Sequence, residues 1–244
     1  MRYRESPPPA TNPDEFRAVV EGRRSVRQFE PGEVPQEVLD YCLDMALLAP
    51  NSSNLQPWEF VVVRQPTHLA ELAEACLNQN AAKTAPLMIV QLAHTNNWRQ
   101  HANQLLAEWP QDKIPSAVNK YYKQLVPLHF TTGPLDTLGL VKAVSQRVVS
   151  QFRPLPRFHE SQADLRVWAA KSCALACENL MLAARAQGYD SCPMEGFDEA
   201  RVKKLVRAAD DTFVVMVIAL GKRTAEGVYY PRQRFAKNQM VREL

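Results

Sequence analysis

Glycine is scarce in this chain of 244 residues: there are eight, and they form neither a G-x-G-x-x-G nor a G-x-x-x-x-G-K-[ST] motif. In those motifs, glycine lets backbone N–H groups approach a phosphate closely. Their absence excludes the glycine-built phosphate sites of dinucleotide-binding and P-loop proteins. A phosphate bound by this chain therefore has to be held by side chains, and arginine is the best suited of these.

Metal-binding and disulfide patterns are also missing. The five cysteines are an odd number without a C-x-x-C pair, which argues against a zinc cluster or a disulfide framework. Cys173 and Cys177 lie one helical turn apart among alanines and leucines, so we interpret them as small core residues. The five histidines are scattered, and no H-E-x-x-H or G-x-S-x-G motif occurs. We expect neither a metal site nor a protein nucleophile.

Long apolar runs are absent too. The longest, Phe213 to Leu220, is far below the ~20 residues of a membrane helix and predicts a buried strand. Residues 1–16 carry charges and four prolines where a secretory signal has an apolar core, so we expect a cytoplasmic protein without a membrane. The net charge of +3 is too small to indicate nucleic acid as a partner.

Hydrophobic residues make up 46% of the chain, enough for one domain over 1–244. Capping and periodicity predict helices from Asn12-Pro13 to near Gly22, over 34–49, over 68–78 and over 163–188, the last apolar on most faces. Three buried strands are predicted in PWEFVVVR, APLMIVQLA and DTFVVMVIALG. Between about 94 and 160 the pattern weakens, which indicates a helical excursion that serves as a lid or binding region.

Four polar segments lie between these elements: RRSVR, PNSSNLQPW, CPMEGFD and YYPRQRF. Arginines as close as those of RRSVR repel one another unless solvent or an anion compensates them. The amides of the second segment suit the edge of a planar heterocycle, although they also satisfy backbone groups at an ordinary junction. The glycine of the third permits close approach of a flat ligand or simply a turn. The two arginines of the fourth lie two residues apart, so both would point to the same side of an extended run. Alternatively, their charge protects an exposed edge strand.

Taken in order, RRSVR, APNSSNLQPWEFVVV, ACLNQNAAKTAPLMIV, PMEGFD and YYPRQRF resemble the FMN-dependent nitroreductase family. The similarity spans both ends of the chain and omits the excursion. It implies an α+β sandwich in which a mixed central sheet is flanked by helices. It also implies an intertwined homodimer, with two FMN sites built from both protomers at its interface.

The resemblance assigns cofactor-binding positions along the whole chain. It places Arg23 and Arg27 near the FMN phosphate or the flavin edge, with Arg24 acting mainly through its backbone. A backbone N–H at Glu195 or Gly196 would hydrogen-bond N5 of the flavin, which tunes its hydride chemistry. The implied FMN-binding set is Arg23, Arg24, Ser25, Arg27, Pro50, Asn51, Ser52, Asn54, Gln56, Gln79, Pro193, Met194, Glu195, Gly196, Arg232 and Arg234. The segment with Pro50, Asn51, Ser52 and Asn54 would come from the partner protomer, and Gln56 follows it in the Q-P-W signature of the family. A shift of one residue would put Asn78 or Asn80 in place of Gln79.

The function implied is a ping-pong oxidoreductase. NADPH or NADH would reduce FMN and leave, and a nitroaromatic, a quinone or a free flavin would then take its place. In the excursion, Tyr121, Tyr122, His129 and Phe130 are candidate substrate contacts. The alternatives are a relative with a specialised flavin reaction, such as reductive dehalogenation or heterocycle oxidation, a flavin-binding scaffold without turnover, and a non-catalytic nucleotide- or nucleic-acid-binding protein that reads phosphates with its arginines.

Overall fold

A computed structural model describes residues 6–156 and 159–244, and a four-stranded sheet lies at its centre. The strands are β1 (Trp58–Val63), β2 (Leu87–His94), β3 (Asp190–Met194) and β4 (Thr212–Gly221). Their order is β1-β2-β4-β3, and each neighbouring pair is antiparallel. Although β2 and β3 run in the same direction, β4 lies between them, so the sheet is antiparallel and the expectation of a mixed sheet was wrong in this detail. In the described part of the chain, the pairing of Ser25 with Ser191 is an isolated parallel bridge.

Helices surround this sheet and fill the excursion. Their bounds are α1 (Pro13–Gly22), α2 (Gln36–Leu47), α3 (Pro66–Ala75), α4 (Asn80–Thr84), α5 (Trp98–Ala107), α6 (Ser116–Lys120), α7 (Val126–Phe130), α8 (Thr137–Val149), α9 (Gln162–Ala186), α10 (Glu199–Leu205) and α11 (Lys237–Met240). A π-helical turn, Tyr121–Leu125, joins α6 to α7. None of these helices is both long enough and apolar enough to cross a bilayer.

The predicted helix ends are confirmed where a capping residue specifies them. The side chain of Asn12 accepts a hydrogen bond from the N–H of Asp14, and a proline follows at the first helical position of α1. A capping box between Ser161 and Asp164 starts α9. Gly188 follows α9 at φ 78°, the left-handed conformation that glycine adopts at helix ends.

Two hydrophobic clusters occupy the two faces of the sheet. On one face, α2 and α9 pack together over residues such as Leu87 and Ile89. On the other face, α3, α4 and α10 cover residues such as Met88 and Val90. Successive β2 residues therefore point to opposite layers, which explains why this strand is apolar without alternation. The flanking of the sheet by helices is thus confirmed.

Three of the four strands were predicted, and β3 was missed. Its sequence, DSCPM, begins with two polar residues and contains Pro193, which cannot donate a hydrogen bond to a neighbouring strand. The strand is tolerated because it lies at the edge of the sheet, where β4 is its one neighbouring strand among the described residues and Ser25 adds an isolated bridge to Ser191. Asp190 and Ser191 are both buried despite their polarity.

The segment 94–160 contains α5, α6, α7 and α8, and it is attached to the domain at specific points. A Cβ on Gly139 of α8 would lie 1.5 Å from the carbonyl oxygen of Glu160, so the two backbones are in direct contact there. The Asp136 carboxylate accepts a hydrogen bond from the N–H of Gln162 at 3.1 Å. Lys142 Nζ donates to the carbonyl of Thr131. These contacts hold α8 beside the beginning of α9.

Candidate active site

Arginines from the two ends of the chain meet in one cleft of about 210 Å³, which we call the arginine cleft. Between its arginines lie Tyr229 and Tyr230, and no acidic residue of the described chain lines it. The arginines are Arg23, Arg24, Arg27, Arg232 and Arg234. The segments RRSVR and YYPRQRF, both predicted to be phosphate-binding, are therefore neighbours in space.

Hydrogen bonds join these two segments to each other and to β3. The N–H of Val26 donates to the carbonyl of Ser191 at 3.0 Å. Arg24 Nη2 donates to the carbonyl of Tyr230 at 2.5 Å. Arg232 Nη2 donates to the carbonyl of Arg23 at 2.5 Å, so these two side chains hold the walls together rather than face the cleft freely.

The positive charge of the arginine cleft is only partly compensated. Arg23 Nε lies 3.5 Å from a carboxylate oxygen of Glu178, and it is buried without a hydrogen-bond partner. In the described chain, the other four arginines of the cleft have no carboxylate within ion-pair distance. Such a cluster suits an anion that accepts several hydrogen bonds, because guanidinium groups pair with phosphate or carboxylate oxygens in a fixed geometry.

A buried carboxylate, that of Asp190, helps to fix the segments that form the arginine cleft. Asp190 is 4% exposed and accepts hydrogen bonds from Arg185 Nη1 at 2.9 Å and from Arg223 Nε at 2.7 Å. The hydrogen bonds to Asp190 raise the pKa of the Arg223 guanidinium, which is ionised in any case. Arg223 Nη2 also donates to the carbonyl of Gly22, the residue before Arg23. Asp190 therefore connects β3, α9 and the segment after β4 to the start of the arginine segment.

The stretch after β3 lies next to Gln79, as the predicted site requires. Gln79 Nε2 donates to the carbonyl of Gly196 at 2.7 Å. Glu195 and Gly196 are exposed, whereas the Met194 side chain is buried in the core and Pro193 is half-buried. Of the residues in this stretch, Glu195 and Gly196 thus present their backbone to a ligand.

The neighbouring asparagine has a role that the sequence raised only as an alternative to Gln79. Asn80 Nδ2 donates to the carbonyl of Arg27 and to the hydroxyl of Tyr229, each at 2.9 Å. Asn80 thereby joins both arginine segments, while the side chain of Gln79 reaches Gly196.

The amide-rich loop after α2 is strained and internally bonded. Ser53, Asn54 and Gln56 have φ values of 61°, 51° and 45°, a region that costs non-glycine residues roughly 1–3 kcal/mol each. The side-chain oxygen of Asn51 accepts a hydrogen bond from the N–H of Gln56 at 2.8 Å. The Asn51 side chain therefore satisfies a backbone N–H of its own loop, as expected if these amides serve an ordinary junction.

Two tyrosines of the excursion hold this loop in place. The hydroxyl of Tyr121 lies 2.7 Å from Ser53 Oγ, and the hydroxyl of Tyr122 donates to the carbonyl of Ser53 at 3.1 Å. Burial raises the pKa of Tyr122, so its hydroxyl remains a donor over the physiological range. Strain held in place by surrounding contacts is a frequent property of functional loops.

A second and larger cavity, of about 540 Å³, lies between this loop, the excursion and α9. We call it the aromatic cavity, because Tyr121, Phe130, His159 and Trp168 line it. Asn51, Ser52 and His129 also belong to its wall. Tyr122 does not line it, and Phe130 is mostly packed in the core.

Within one protomer, the predicted site residues thus form two groups. The arginine cleft and the Gln79–Gly196 contact are adjacent through β3, whereas the aromatic cavity is lined by Asn51, Ser52, Tyr121, His129 and Phe130. Helix α9 connects them: Glu178 pairs with Arg23, and Lys171, two turns earlier and ~10 Å away along the axis, lines the aromatic cavity. Sequence reasoning missed Glu178, Lys171 and Trp168, because each reads as part of a helical pattern.

The cysteines are core residues, as predicted. All five are buried and free, and burial raises the pKa of Cys42 and of Cys76 to about 11. Thiols with such pKa values are poor nucleophiles at neutral pH. Over residues 6–156 and 159–244, no group of three or more potential ligands could hold a metal ion.

Comparison with known proteins identifies the family of the chain. The model of the nitroreductase family matches residues 20–222. Protein DrgA of Synechocystis is 32% identical over 215 residues, which are 87% of this chain and 86% of that protein. A Thermus thermophilus protein named NADH dehydrogenase is 28% identical, with 90% of this chain and 91% of that protein covered.

A solved structure has the same fold. The chain from Exiguobacterium sibiricum, solved in complex with FMN, superposes with a TM-score of 0.69 at 24% identity, covering 96% of this chain and 98% of that one. The α+β fold is therefore that of known nitroreductase structures. Together with the match of the family model over most of the sequence, this shows that the chain belongs to the nitroreductase family.

Proposed function

We propose that this chain is an FMN-dependent oxidoreductase that takes hydride from NADPH or NADH and reduces a nitroaromatic, a quinone or a related small acceptor by a ping-pong mechanism. The observation that carries the proposal is the arginine cleft, formed by both ends of the chain beside the Gln79–Gly196 contact. As a member of its family, the chain is a flavin oxidoreductase with FMN as cofactor and NAD(P)H as reductant. For a quinone, the balanced reaction is quinone + NAD(P)H + H⁺ → hydroquinone + NAD(P)⁺.

The residues present fit the phosphate of FMN. A phosphate monoester carries roughly −1.5 to −2 charges at pH 7, and the cleft offers several guanidinium groups without carboxylate partners. The buried Arg23 Nε is a donor that still needs an acceptor. Arg27 and Arg234 are exposed and can turn toward the same anion.

Bound FMN supplies the site that accepts and returns hydride, so the protein has only to bind, orient and tune. Gln79 holds the carbonyl of Gly196, and this fixes the exposed stretch of Glu195 and Gly196. A backbone N–H from this stretch would then donate to the flavin edge. Neither a metal nor a protein nucleophile is needed for this chemistry.

A homodimer would complete the site. The loop 50–56, which resembles the segment that comes from the partner protomer, does not line the arginine cleft of its own chain. Val167 and Leu175 are 55% and 49% exposed on α9, and Leu48 at the end of α2 is 73% exposed. Apolar residues exposed on the central helix of a core favour burial against a second copy. We expect this dimer to work in the cytoplasm.

An absorbance spectrum tests the proposal. The purified protein should be yellow, and anaerobic NADPH or NADH should bleach it. Protein that remains colourless after incubation with FMN would refute the cofactor assignment, and yellow protein that neither nicotinamide bleaches would indicate a scaffold without turnover.

Single substitutions test the role of the cleft. Arg23→Ala and Arg27→Ala should release FMN during gel filtration, whereas Arg24→Ala should matter less, because Arg24 Nη2 already bonds the carbonyl of Tyr230. Arg64→Ala, an exposed arginine outside the cleft, is the matched control. Equal FMN affinity in all these variants would show that the cleft binds something else.

A further inference from the structure

The aromatic cavity has the size and the walls of a small-molecule site. Its 540 Å³ lies within the roughly 300–1,000 Å³ typical of ligand pockets. The ring of Phe130 meets that of Trp168 edge to face at 4.7 Å between centroids, and that of His159 at 4.6 Å. Val167 and Leu175 add aliphatic surface. These walls suit a flat aromatic molecule.

One carboxylate and one ammonium group, those of Asp164 and Lys171, line the cavity, and they differ in their local partners. The carboxylate of Asp164 accepts hydrogen bonds from the N–H groups of Glu160 and Ser161 and from Ser161 Oγ, at 3.0–3.1 Å, so donors at the start of α9 compensate it. In contrast, Lys171 Nζ has no carboxylate within ion-pair distance in the described chain. Within the described chain, the Lys171 ammonium group is therefore available to pair with an anionic group of a ligand.

The two histidines of the wall add no positive charge to that of Lys171. His159 Nδ1 lies 3.3 Å from the carbonyl oxygen of His129, which can only accept, so the proton is on Nδ1. Burial and the nearby Lys142 ammonium lower the pKa of both His129 and His159, and both rings are therefore neutral at pH 7. Among the described residues of the wall, the ionised side chains are therefore Asp164 and Lys171.

We propose that the aromatic cavity binds the electron acceptor and that Lys171 selects acceptors whose aromatic ring carries a carboxylate or another anionic group. The inference rests on the proposed oxidoreductase function and adds to it the class of acceptor. Asn51 and Ser52 form one wall of the cavity, and they belong to the loop that would line the partner's cofactor. An acceptor seated there would lie beside that cofactor, with its anionic group on Lys171.

Paired acceptors test the selection by charge. The ratio of kcat/KM for 4-nitrobenzoate to that for 4-nitrobenzamide should fall roughly tenfold in Lys171→Gln, because hydrogen bonds to charged groups contribute about 1.5–3 kcal/mol. Lys171→Arg should restore much of the ratio, and Lys171→Glu should reverse the preference. Lys204→Gln, which removes an exposed charge on α10, should leave it unchanged.

Binding measured without turnover separates this inference from the proposed function. Quenching of tryptophan fluorescence by 4-nitrobenzoate reports on the cavity through Trp168, and its Kd should rise about tenfold in Lys171→Gln. Loss of this quenching in Trp168→Phe would confirm the location. If Lys171→Gln weakens the binding of 4-nitrobenzoate and of 4-nitrobenzamide equally, or of neither, the selection by Lys171 is refuted. This conclusion holds even where NADPH still bleaches the protein. Colourless protein that still binds 4-nitrobenzoate through Lys171 would instead overturn the proposed function alone.

Discussion

Asp190 is the residue whose replacement should disturb both stability and the cofactor site. Its carboxylate is 3% exposed and receives charge-assisted hydrogen bonds from Arg185 Nη1, Arg223 Nε and Arg223 Nη2. Asp190→Asn keeps the shape of the side chain but removes the charge, and its amide nitrogen would face a guanidinium group. Both arginines would then lose their counter-ion.

The magnitude follows from the exposure of the two arginine partners of Asp190. Removing one member of a fully buried ion pair costs about 3–5 kcal/mol. Here the Arg185 and Arg223 side chains are 27% and 32% exposed, so water compensates part of the lost interaction. We therefore expect Asp190→Asn to lower the free energy of unfolding by about 2–3 kcal/mol. Because Arg223 also bonds Gly22, FMN retention should fall as well.

Urea unfolding of holoprotein, followed by circular dichroism, measures this cost. The matched control is Glu74→Gln, which breaks the ion pair of Glu74 with Arg201, whose side chains are 64% and 61% exposed. Such a surface pair contributes about 0–1 kcal/mol. If the two substitutions change the free energy of unfolding equally, the argument from the burial of Asp190 is wrong.

Two further predictions concern the excursion and the thiols. Gly139→Ala should displace α8, because the added Cβ would overlap the carbonyl of Glu160. We expect faster hydrogen exchange over 137–149 and a free energy of unfolding lower by about 1–3 kcal/mol. The control Ser145→Ala, on the exposed side of α8, should have neither effect. Unchanged exchange in Gly139→Ala would contradict the close packing. The native thiols should resist Ellman's reagent at pH 8 and react after denaturation. Burial favours the neutral thiol and raises the pKa of Cys42 from 9.0 to about 11. The contribution of this thiol to the free energy of unfolding is therefore complete below pH 9. It is lost as the pH rises toward 11, by about 1.4 kcal/mol per pH unit. Cys42→Ala should therefore lose less stability between pH 9 and 11 than the unsubstituted protein, and equal losses would refute this.

Local features of the fold could be predicted because they depend on neighbouring residues. The start of α1 at Asn12-Pro13, the length of α9 and its end before Gly188 follow from capping and periodicity within a few residues. The strands β1, β2 and β4 are apolar runs that need no partner to be recognised. The family, and with it a flavin oxidoreductase, was also evident from the order of the motifs.

The sequence by itself determined the helices α1, α2, α3 and α9, three strands and the two arginine segments, but not which of these segments meet. Arg24 bonds a residue 206 positions away, and Asp190 joins elements that no local pattern connects. The strand β3 exists because β4 offers it an edge, and the aromatic cavity exists because the excursion packs against α9. Such features depend on long-range packing, in which a residue's partner is chosen by the register of the sheet and by the space left between helices rather than by its neighbours in the chain.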